Sequence, residues 1–188
     1  MTATPPSILL VDDEEDICAV MADILADQGY HVDVAHDGSA ALRLVRERPY
    51  DVALLDYRMP GMDGLTLYRE IRRLRAETVA VLVTAYASAS TAREAVAAGA
   101  WQVVPKPVDV PRLLGLIDEA LGQPLVMVVD DDDNFCVTLW DLLRECGYRV
   151  SVAHDASEAA ERLRDGTRVI LVDLVLPGGG GAEVCRQV

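Results

Sequence analysis

Five side chains that could act together on a phosphate group stand directly after short apolar stretches of the sequence. They are Asp12, Asp13, Asp56, Thr84 and Lys106. Three carboxylates repel one another unless a cation lies between them, and Mg²⁺ prefers such oxygen ligands. A carboxylate that attacks a phosphoryl group meets charge repulsion, which Mg²⁺ and a lysine ammonium would reduce. The set therefore indicates an aspartyl-phosphate site with an acidic nucleophile, a metal, a hydroxyl and a cation.

The apolar stretches before these residues have the length of buried β-strands. We predict five strands, at 8–11, 31–35, 52–55, 79–83 and 101–104. Segments with apolar residues at helical spacing separate the strands, which predicts a helix after each of them. Strands that are almost wholly apolar and alternate with helices are typical of a parallel sheet with helices on both faces.

The carboxyl ends of the strands are the place where an open parallel sheet binds its ligands. If the sheet order is 2-1-3-4-5, the four strands that carry the five side chains are neighbours, and the second strand lies outside them. The three carboxylates, the hydroxyl and the ammonium would then converge on one point at this edge of the sheet.

The sequence also contains an internal repeat, which decides its domain organisation. A shift of 118 residues places 8–47 over 126–165 with sixteen identities, and a shift of 117 places 52–61 over 169–178. We therefore predict a complete α/β module at 1–122. A partial second copy at 123–188 would hold the first three strands and two helices, with Val188 in what should be the third helix.

Composition and charge limit the possible functions. Half of the residues are hydrophobic (51%) and a quarter are charged (26%), as in a soluble globular protein. The formal net charge of −14 repels nucleic acid and anionic lipid, so we expect no nucleic-acid face within these residues. The first residues lack the pattern of a signal peptide, and no apolar run approaches the length of about 20 residues that spans a bilayer. We expect a cytoplasmic chain without membrane contact.

At the five candidate site residues and around them, the sequence resembles the receiver domain of two-component response regulators. The matching motifs are VDDEED at 11–16, LLDYRMPGMDG at 54–64, Thr84-Ala85, Gly99-Ala100 and Lys106-Pro107. The resemblance covers 8–121, and five motifs in the same order are far more specific than any one of them. It implies a doubly wound, flavodoxin-like sheet of five parallel strands in the order 2-1-3-4-5.

The resemblance also implies a role for each acidic residue. Asp56 would accept a phosphoryl group from a phosphohistidine on a sensor histidine kinase or a phosphotransfer protein. Asp12 and Asp13 would hold Mg²⁺ together with Asp56 and the backbone carbonyl of Arg58. The chain would then be a phosphorylation-dependent signalling switch in a phosphorelay, and not an enzyme in the ordinary sense.

The remaining motifs carry further implications. Thr84 would hydrogen-bond the phosphoryl group, Lys106 would pair with it, and the peptide bond before Pro107 would be cis. The aromatic residue that the family has three positions before the lysine is Val103 here, which puts the usual coupling of threonine movement to an aromatic side chain in doubt. Phosphorylation would still add charge beside Thr84 and could shift the loop at 85–89.

The second copy keeps three acids at the repeat positions, Asp130, Asp131 and Asp173. They could bind a metal, but the copy has no threonine or lysine equivalent to stabilise a transferred phosphate. Its third strand would have an open edge and poorly covered faces. We expect either that these residues are cut from a longer chain or that another protomer or a neighbouring module covers the edge.

Two other functions share part of this pattern. A Mg²⁺-dependent phosphohydrolase with an aspartate nucleophile would use the same chemistry, but such enzymes resemble a DxD arrangement, and the second acid position is Arg58 here. A protein-docking module without phosphorylation is the other alternative, above all for the second copy. Receivers often dimerise through their last helix and strand, which would place a homodimer contact at 101–121.

Overall fold

The computed structural model describes residues 5–85, 88–163, 166–176 and 181–187 of the chain. The chain divides into two compact units, Met1–Gly122 and Gln123–Val188. No helix within the described ranges is long and apolar enough to cross a membrane.

The first unit is built around five parallel strands. They are β1 (Ser7–Val11), β2 (His31–Ala35), β3 (Val52–Asp56), β4 (Val79–Thr84) and β5 (Gln102–Pro105). The sheet order is β2-β1-β3-β4-β5, so the predicted order is confirmed. Each strand lies within one residue of its predicted bounds at either end. Every residue of β3 and β4 is buried, because these strands have neighbours on both sides and helices on both faces.

Five helices connect these strands and follow the last one. They are α1 (Glu15–Asp27), α2 (Gly38–Glu47), α3 (Gly64–Leu74), α4 (Ala89–Ala97) and α5 (Val110–Gly122). The side chain of Asp37 caps α2 by accepting from Ala40 N, and that of Asp63 caps α3 by accepting from Thr66 N. These caps fix where the chain leaves the sheet edge and enters each helix.

Two apolar clusters, one on each face of the sheet, hold the first unit together. On one face, helices α2 and α3 pack side chains such as Val45 and Tyr68 against the sheet. On the other, α1 and α5 contribute Leu25, Leu113 and Ile117. The two-sided cover that the strand composition predicts is therefore present, and it anchors the strand ends that carry the polar residues.

The second unit repeats the first three strands of the first unit. Its strands are β6 (Leu125–Val129), β7 (Arg149–Ala153) and β8 (Thr167–Val172), all parallel in the order β7-β6-β8. Its helices are α6 (Asp133–Glu145), α7 (Ala156–Arg162) and α8 (Gly181–Gln187). Beyond the two predicted helices, α8 begins at Gly181, the repeat equivalent of the glycine that begins α3, where the chain was expected to enter a third helix. The loop glycines before α8, at 178–180, lie outside the described residues.

Candidate functional site

Three carboxylates meet at the carboxyl edge of the first sheet. Asp12 and Asp13 follow β1 and Asp56 ends β3, and these two strands are hydrogen-bonded neighbours. The three side chains can each offer an oxygen within 4.8 Å of the others. Asp12 and Asp56 are buried, whereas Asp13 is exposed. The cluster is therefore anchored in the sheet on one side and open to solvent at Asp13.

Short backbone turns hold the two buried carboxylates in place. Asp12 Oδ1 accepts a hydrogen bond from Glu14 N at 3.0 Å, and Asp56 Oδ2 accepts one from Arg58 N at 3.0 Å. In both cases an aspartate side chain bonds the backbone two residues further on, as in an Asx turn. This arrangement orients the carboxylates before any ligand binds. The residue pattern of the sequence predicted neither contact.

Lys106 reaches into this cluster from the end of β5. Its Nζ lies 2.7 Å from Asp12 Oδ2 and 2.9 Å from Asp56 Oδ1. Glu14 Oε1 lies 3.4 Å from the same Nζ, a contact that no sequence motif predicted. The peptide bond between Lys106 and Pro107 is cis, as expected. Lys106 is the only lysine of the 188 residues, and it contacts both buried carboxylates.

Burial and charge act in opposite directions on the ionisation of these groups. Burial would lower the pKa of Lys106, but its hydrogen bonds and attraction to Asp12 and Asp56 raise that pKa above its usual range. Burial raises the pKa of Asp56, the contact with Lys106 lowers it, and the charge of Asp12 raises it again, with a net increase. The lysine stays protonated, while a carboxylate at position 56 is held in an unfavourable environment.

Thr84 and Arg58 lie at the same edge of the sheet. Thr84 is the last residue of β4 and is buried, and its carbonyl oxygen accepts a hydrogen bond from Lys106 N at 2.7 Å. Arg58 contributes its backbone N to Asp56, while the expected role of its carbonyl as a metal ligand stays a prediction. Residues 86 and 87 of the loop after Thr84, in which we expect a shift on phosphorylation, lie outside the described residues.

The model of the response regulator receiver domain family matches residues 8–118, which is more than half of the chain. The chain belongs to the response regulator receiver family. Its receiver domain has a flavodoxin-like fold and is a phosphorylation-dependent signalling switch. Such domains are in general not classical enzymes, and they imply a histidine kinase or a phosphotransfer protein as partner.

Relatives match different shares of this receiver protein. It is 36% identical over 180 residues to the response regulator receiver protein of Anaeromyxobacter sp. strain Fw109-5. This match covers 96% of this chain and 76% of the relative. It is 39% identical over 122 residues to the transcriptional regulatory protein ZraR of Escherichia coli O157:H7. That match covers 65% of this chain but only 28% of ZraR.

Solved structures resemble the first unit. A CheY-like receiver domain from Methanospirillum hungatei has a TM-score of 0.61 and 32% identity, over 63% of this chain and 94% of that one. The response regulator TrrA of Thermotoga maritima, in complex with Mg²⁺ and BeF, has a TM-score of 0.56 and 31% identity, over 61% of this chain and 98% of that one. Receiver domains bind Mg²⁺ at their acidic pocket, and the three clustered carboxylates here are a fitting set of donors.

A second set of acids lies in the second unit. Asp130, Asp131 and Asp173 can also each offer an oxygen within 4.8 Å of the others. Asp130 Oδ1 accepts from Asp132 N at 2.9 Å, which repeats the turn that holds Asp12 in the receiver domain. These acids are more exposed than those of the first set, and the second unit has no lysine.

The raised pKa of Asp56 predicts a pH-dependent stability difference between the wild type and Asp56→Asn. Since the folded pKa lies above the ordinary value of 3.8, the folded state binds the proton more tightly than the unfolded state. The wild type therefore loses stability relative to the variant as pH rises from 3.8 through the folded pKa. With a chelator present to remove divalent cations, the urea concentration at the unfolding midpoint should be higher for Asp56→Asn than for the wild type at pH 7. Below pH 3.8 this contribution to the difference between the two midpoints should vanish. A lower midpoint for the variant at pH 7 would contradict this account.

Proposed function

We propose that this protein is a response regulator in which Asp56 accepts the phosphoryl group. The observation that carries the proposal is the position of Lys106 Nζ, which lies between the buried carboxylates of Asp12 and Asp56. A partly buried cation beside a buried nucleophile is suited to a reaction that brings more negative charge into the same place.

The transfer would replace one phosphorus bond by another. An oxygen of Asp56 forms a bond to phosphorus while the bond to the donor histidine nitrogen breaks, and the histidine leaves with the electron pair. Lys106 would pair with the transferred group, and the hydroxyl of Thr84 would donate a hydrogen bond to it. Acetyl phosphate, a small phosphoryl donor, tests the assignment of Asp56 as the acceptor. The Asp56→Asn variant should accept no phosphoryl group from it.

Three carboxylates and one carbonyl would hold the metal. We assign Asp12, Asp13, Asp56 and the carbonyl oxygen of Arg58 as ligands of Mg²⁺. The support is the spacing of the acids and the exposure of Asp13, which leaves the cluster accessible to an ion from solvent. Bound there, Mg²⁺ would offset the negative charge of the carboxylates and of the incoming phosphoryl group.

Magnesium is expected to stabilise the folded protein through these ligands. At a concentration ten times the dissociation constant, the free energy of unfolding should rise by about 1.4 kcal/mol. Asp13→Asn should lose most of this increase, because it removes an exposed ligand without opening the core. Urea denaturation with and without Mg²⁺ measures the effect, in an Asp173→Asn background so that the second acidic set contributes less. Asp16→Asn is the matched control, and an equal loss in that variant would contradict the ligand assignment.

The second unit is proposed to be the first half of another receiver domain. Its support is the internal repeat, the sheet order β7-β6-β8 and the acids Asp130, Asp131 and Asp173. We place the domain boundary between 122 and 123. The second acidic set would hold a metal but would not keep a phosphoryl group, because the second unit lacks a lysine at this edge.

The other partners follow from charge and from the family. The net charge of −14 supports a protein that binds no nucleic acid through these residues, and we propose that it acts in the cytoplasm. A sensor histidine kinase or a phosphotransfer protein would donate the phosphoryl group. A homodimer through 101–121 is proposed as well.

A further inference from the structure

Arginine is concentrated in two neighbouring helices of the first unit. Helices α2 and α3, each taken with the residue that directly follows it, contain seven of the 16 arginines of the chain and only two acids. These two segments therefore carry a formal charge of +5, although the whole chain carries −14. A positive surface is thus part of a strongly negative protein.

The arginines of α2 and α3 lie at matching levels along the two helices. Both helices pack on the same face of the sheet and begin at its carboxyl edge. Arg43 and Arg69 are each the sixth residue of their helix, and Arg46 and Arg72 are each the ninth. Each of these arginines on one helix therefore lies level with one on the neighbouring helix.

Three of the seven arginines combine exposure to solvent with the lack of an ionic partner. Arg43, Arg46 and Arg69 are exposed, and none of them forms a hydrogen bond or an ion pair with another described residue. Arg73 is also exposed, and it pairs with Glu70 Oε1 at 2.7 Å. The outer side of the two helices thus presents guanidinium groups that are available to a ligand.

The helix dipole does not account for the two arginines at the sixth positions. A cation in the last turn of a helix interacts favourably with the dipole, which suits Arg46 in α2 and Arg72 in α3. Arg43 and Arg69 lie before the last turn. The repeat equivalent of Arg43 in α7 is Glu161, which is exposed as well. An acid occupies the same repeat position, so this type of helix does not need an arginine there.

We propose that the outer side of α2 and α3, defined by Arg43, Arg46, Arg69 and Arg73 and called the arginine face, binds an acidic segment of a partner protein. A guanidinium group matches a carboxylate in a bidentate pair. Packed helices lie about 8–10 Å apart, which is the length of roughly three residues of an extended chain. A segment with aspartate or glutamate at such a spacing can cross both helices and place a carboxylate on each.

Two features favour an acidic protein segment over a membrane or a nucleic acid. None of the exposed large hydrophobic residues lies in α2 or α3, whereas a surface that binds in a membrane interface needs an exposed apolar side. A nucleic acid would extend beyond the arginine face and lie against the acidic remainder of the chain. A short acidic segment stays on the face, and more distant charges are screened over about 8 Å at physiological salt.

The arginine face is separate from the candidate phosphorylation site. The site lies at the carboxyl edge of the sheet, where α2 and α3 begin with Asp37 and Asp63 as caps. The arginines lie in the second half of each helix, which runs toward the opposite edge. The inference therefore goes beyond the proposed function and does not rest on it.

Fluorescein-labelled octaglutamate tests the arginine face. Its fluorescence anisotropy should rise and saturate at one peptide per chain when the wild-type protein is added at low salt. Arg43→Gln/Arg69→Gln should weaken this binding by about ten-fold, because it removes two surface charge pairs. Arg43→Lys/Arg69→Lys keeps both charges and should restore most of the binding.

The matched control is Arg93→Gln/Arg112→Gln. These arginines are exposed on α4 and α5, and their loss changes the net charge of the chain by the same amount. The control should bind octaglutamate as the wild type does. Glutamine is a good helix former, so both glutamine variants should have the urea midpoint of the wild type.

A second measurement locates the peptide without any substitution. In the ¹⁵N-labelled wild type, octaglutamate should shift the amide resonances of Gly38–Glu47 and Gly64–Leu74 and leave those of Val110–Gly122 unchanged.

Four outcomes would overturn the proposal. They are no saturable binding of octaglutamate, equal weakening in the glutamine variant and its control, amide shifts outside α2 and α3, and tighter arginine-dependent binding of another probe. The other probes are oligothymidine, vesicles that contain phosphatidylserine, and the chain itself, whose arginine-dependent dimerisation would assign the face to a second copy. Labelling of Asp56 by acetyl phosphate should be equal in all these variants, so its loss would count against the proposed function and not against this surface.

Discussion

Acetyl phosphate with Mg²⁺ is expected to add the mass of one phosphate to the wild-type chain and nothing to Asp56→Asn. The amide keeps the size of the side chain but removes the nucleophilic carboxylate, while Lys106 and Asp12 remain beside it. Intact-mass spectrometry at neutral pH, recorded soon after mixing, measures the labelled fraction. We expect complete loss, because Asp12, the other buried carboxylate beside Lys106, is assigned to the metal and not to the phosphoryl group.

The matched control for this experiment is Asp173→Asn in the second unit. Asp173 occupies the repeat position of Asp56 and lies in a similar cluster of acids, but the second unit contains no lysine of its own. Labelling of this variant should equal that of the wild type. Equal labelling of Asp56→Asn and the wild type would remove the site assignment. Steady turnover of a generic phosphate ester would instead favour a phosphohydrolase.

Gly64→Ala is expected to destabilise the first unit by about 2–4 kcal/mol and to reduce phosphorylation with it. A Cβ at position 64 would overlap with the carbonyl oxygen of Asp56 and lie 3.0 Å from its carbonyl carbon. Both are backbone atoms at the end of β3, so the start of α3 or the strand end must move. Either movement displaces the carboxylate that the turn to Arg58 holds in place.

Urea denaturation and labelling by acetyl phosphate measure these two effects of Gly64→Ala. Gly115→Ala in α5 is the control, because a Cβ there meets nothing within 4 Å. Alanine is the better helix former, so this variant should gain about 0.5–1 kcal/mol and label normally. If the Gly64→Ala variant were as stable as the wild type, the loop after Asp56 would be able to move without a loss in the free energy of unfolding.

The sequence predicted the position of the site better than its internal contacts. Parallel strands end at one edge, so the strand-end positions of Asp12, Asp56 and Lys106 were sufficient to predict their convergence once the order was 2-1-3-4-5. The contacts of Glu14 with Lys106 and of Arg58 N with Asp56 depend on the path of the chain after each strand. Apolar periodicity carries no signal for such turns, and only the aspartate itself, which favours them, indicates one.

In the second unit, too, the sequence predicted some features and not others. The repeat aligned the strands of this unit and the start of a third helix with those of the first copy, whereas α8 by itself is too short for helical periodicity to reveal. The exposure of Val169 and Leu171 on β8, whose repeat equivalents Val52 and Leu54 are buried, was also not readable from their residue types. The exposure of these residues depends on which elements pack on β8, because the same apolar residue types occur in a strand that is covered and in a strand that is not.

The single lysine of the chain gives this receiver an isotopic reporter. Growth on lysine labelled with ¹³C at Cε would mark one side chain of this protein and would leave its ammonium unmodified. The resulting ¹³C resonance would come from the carbon bonded to the nitrogen that lies between Asp12 and Asp56. Metal binding, phosphoryl transfer and hydrolysis could then be followed in one NMR spectrum, without a crystal or a mutation.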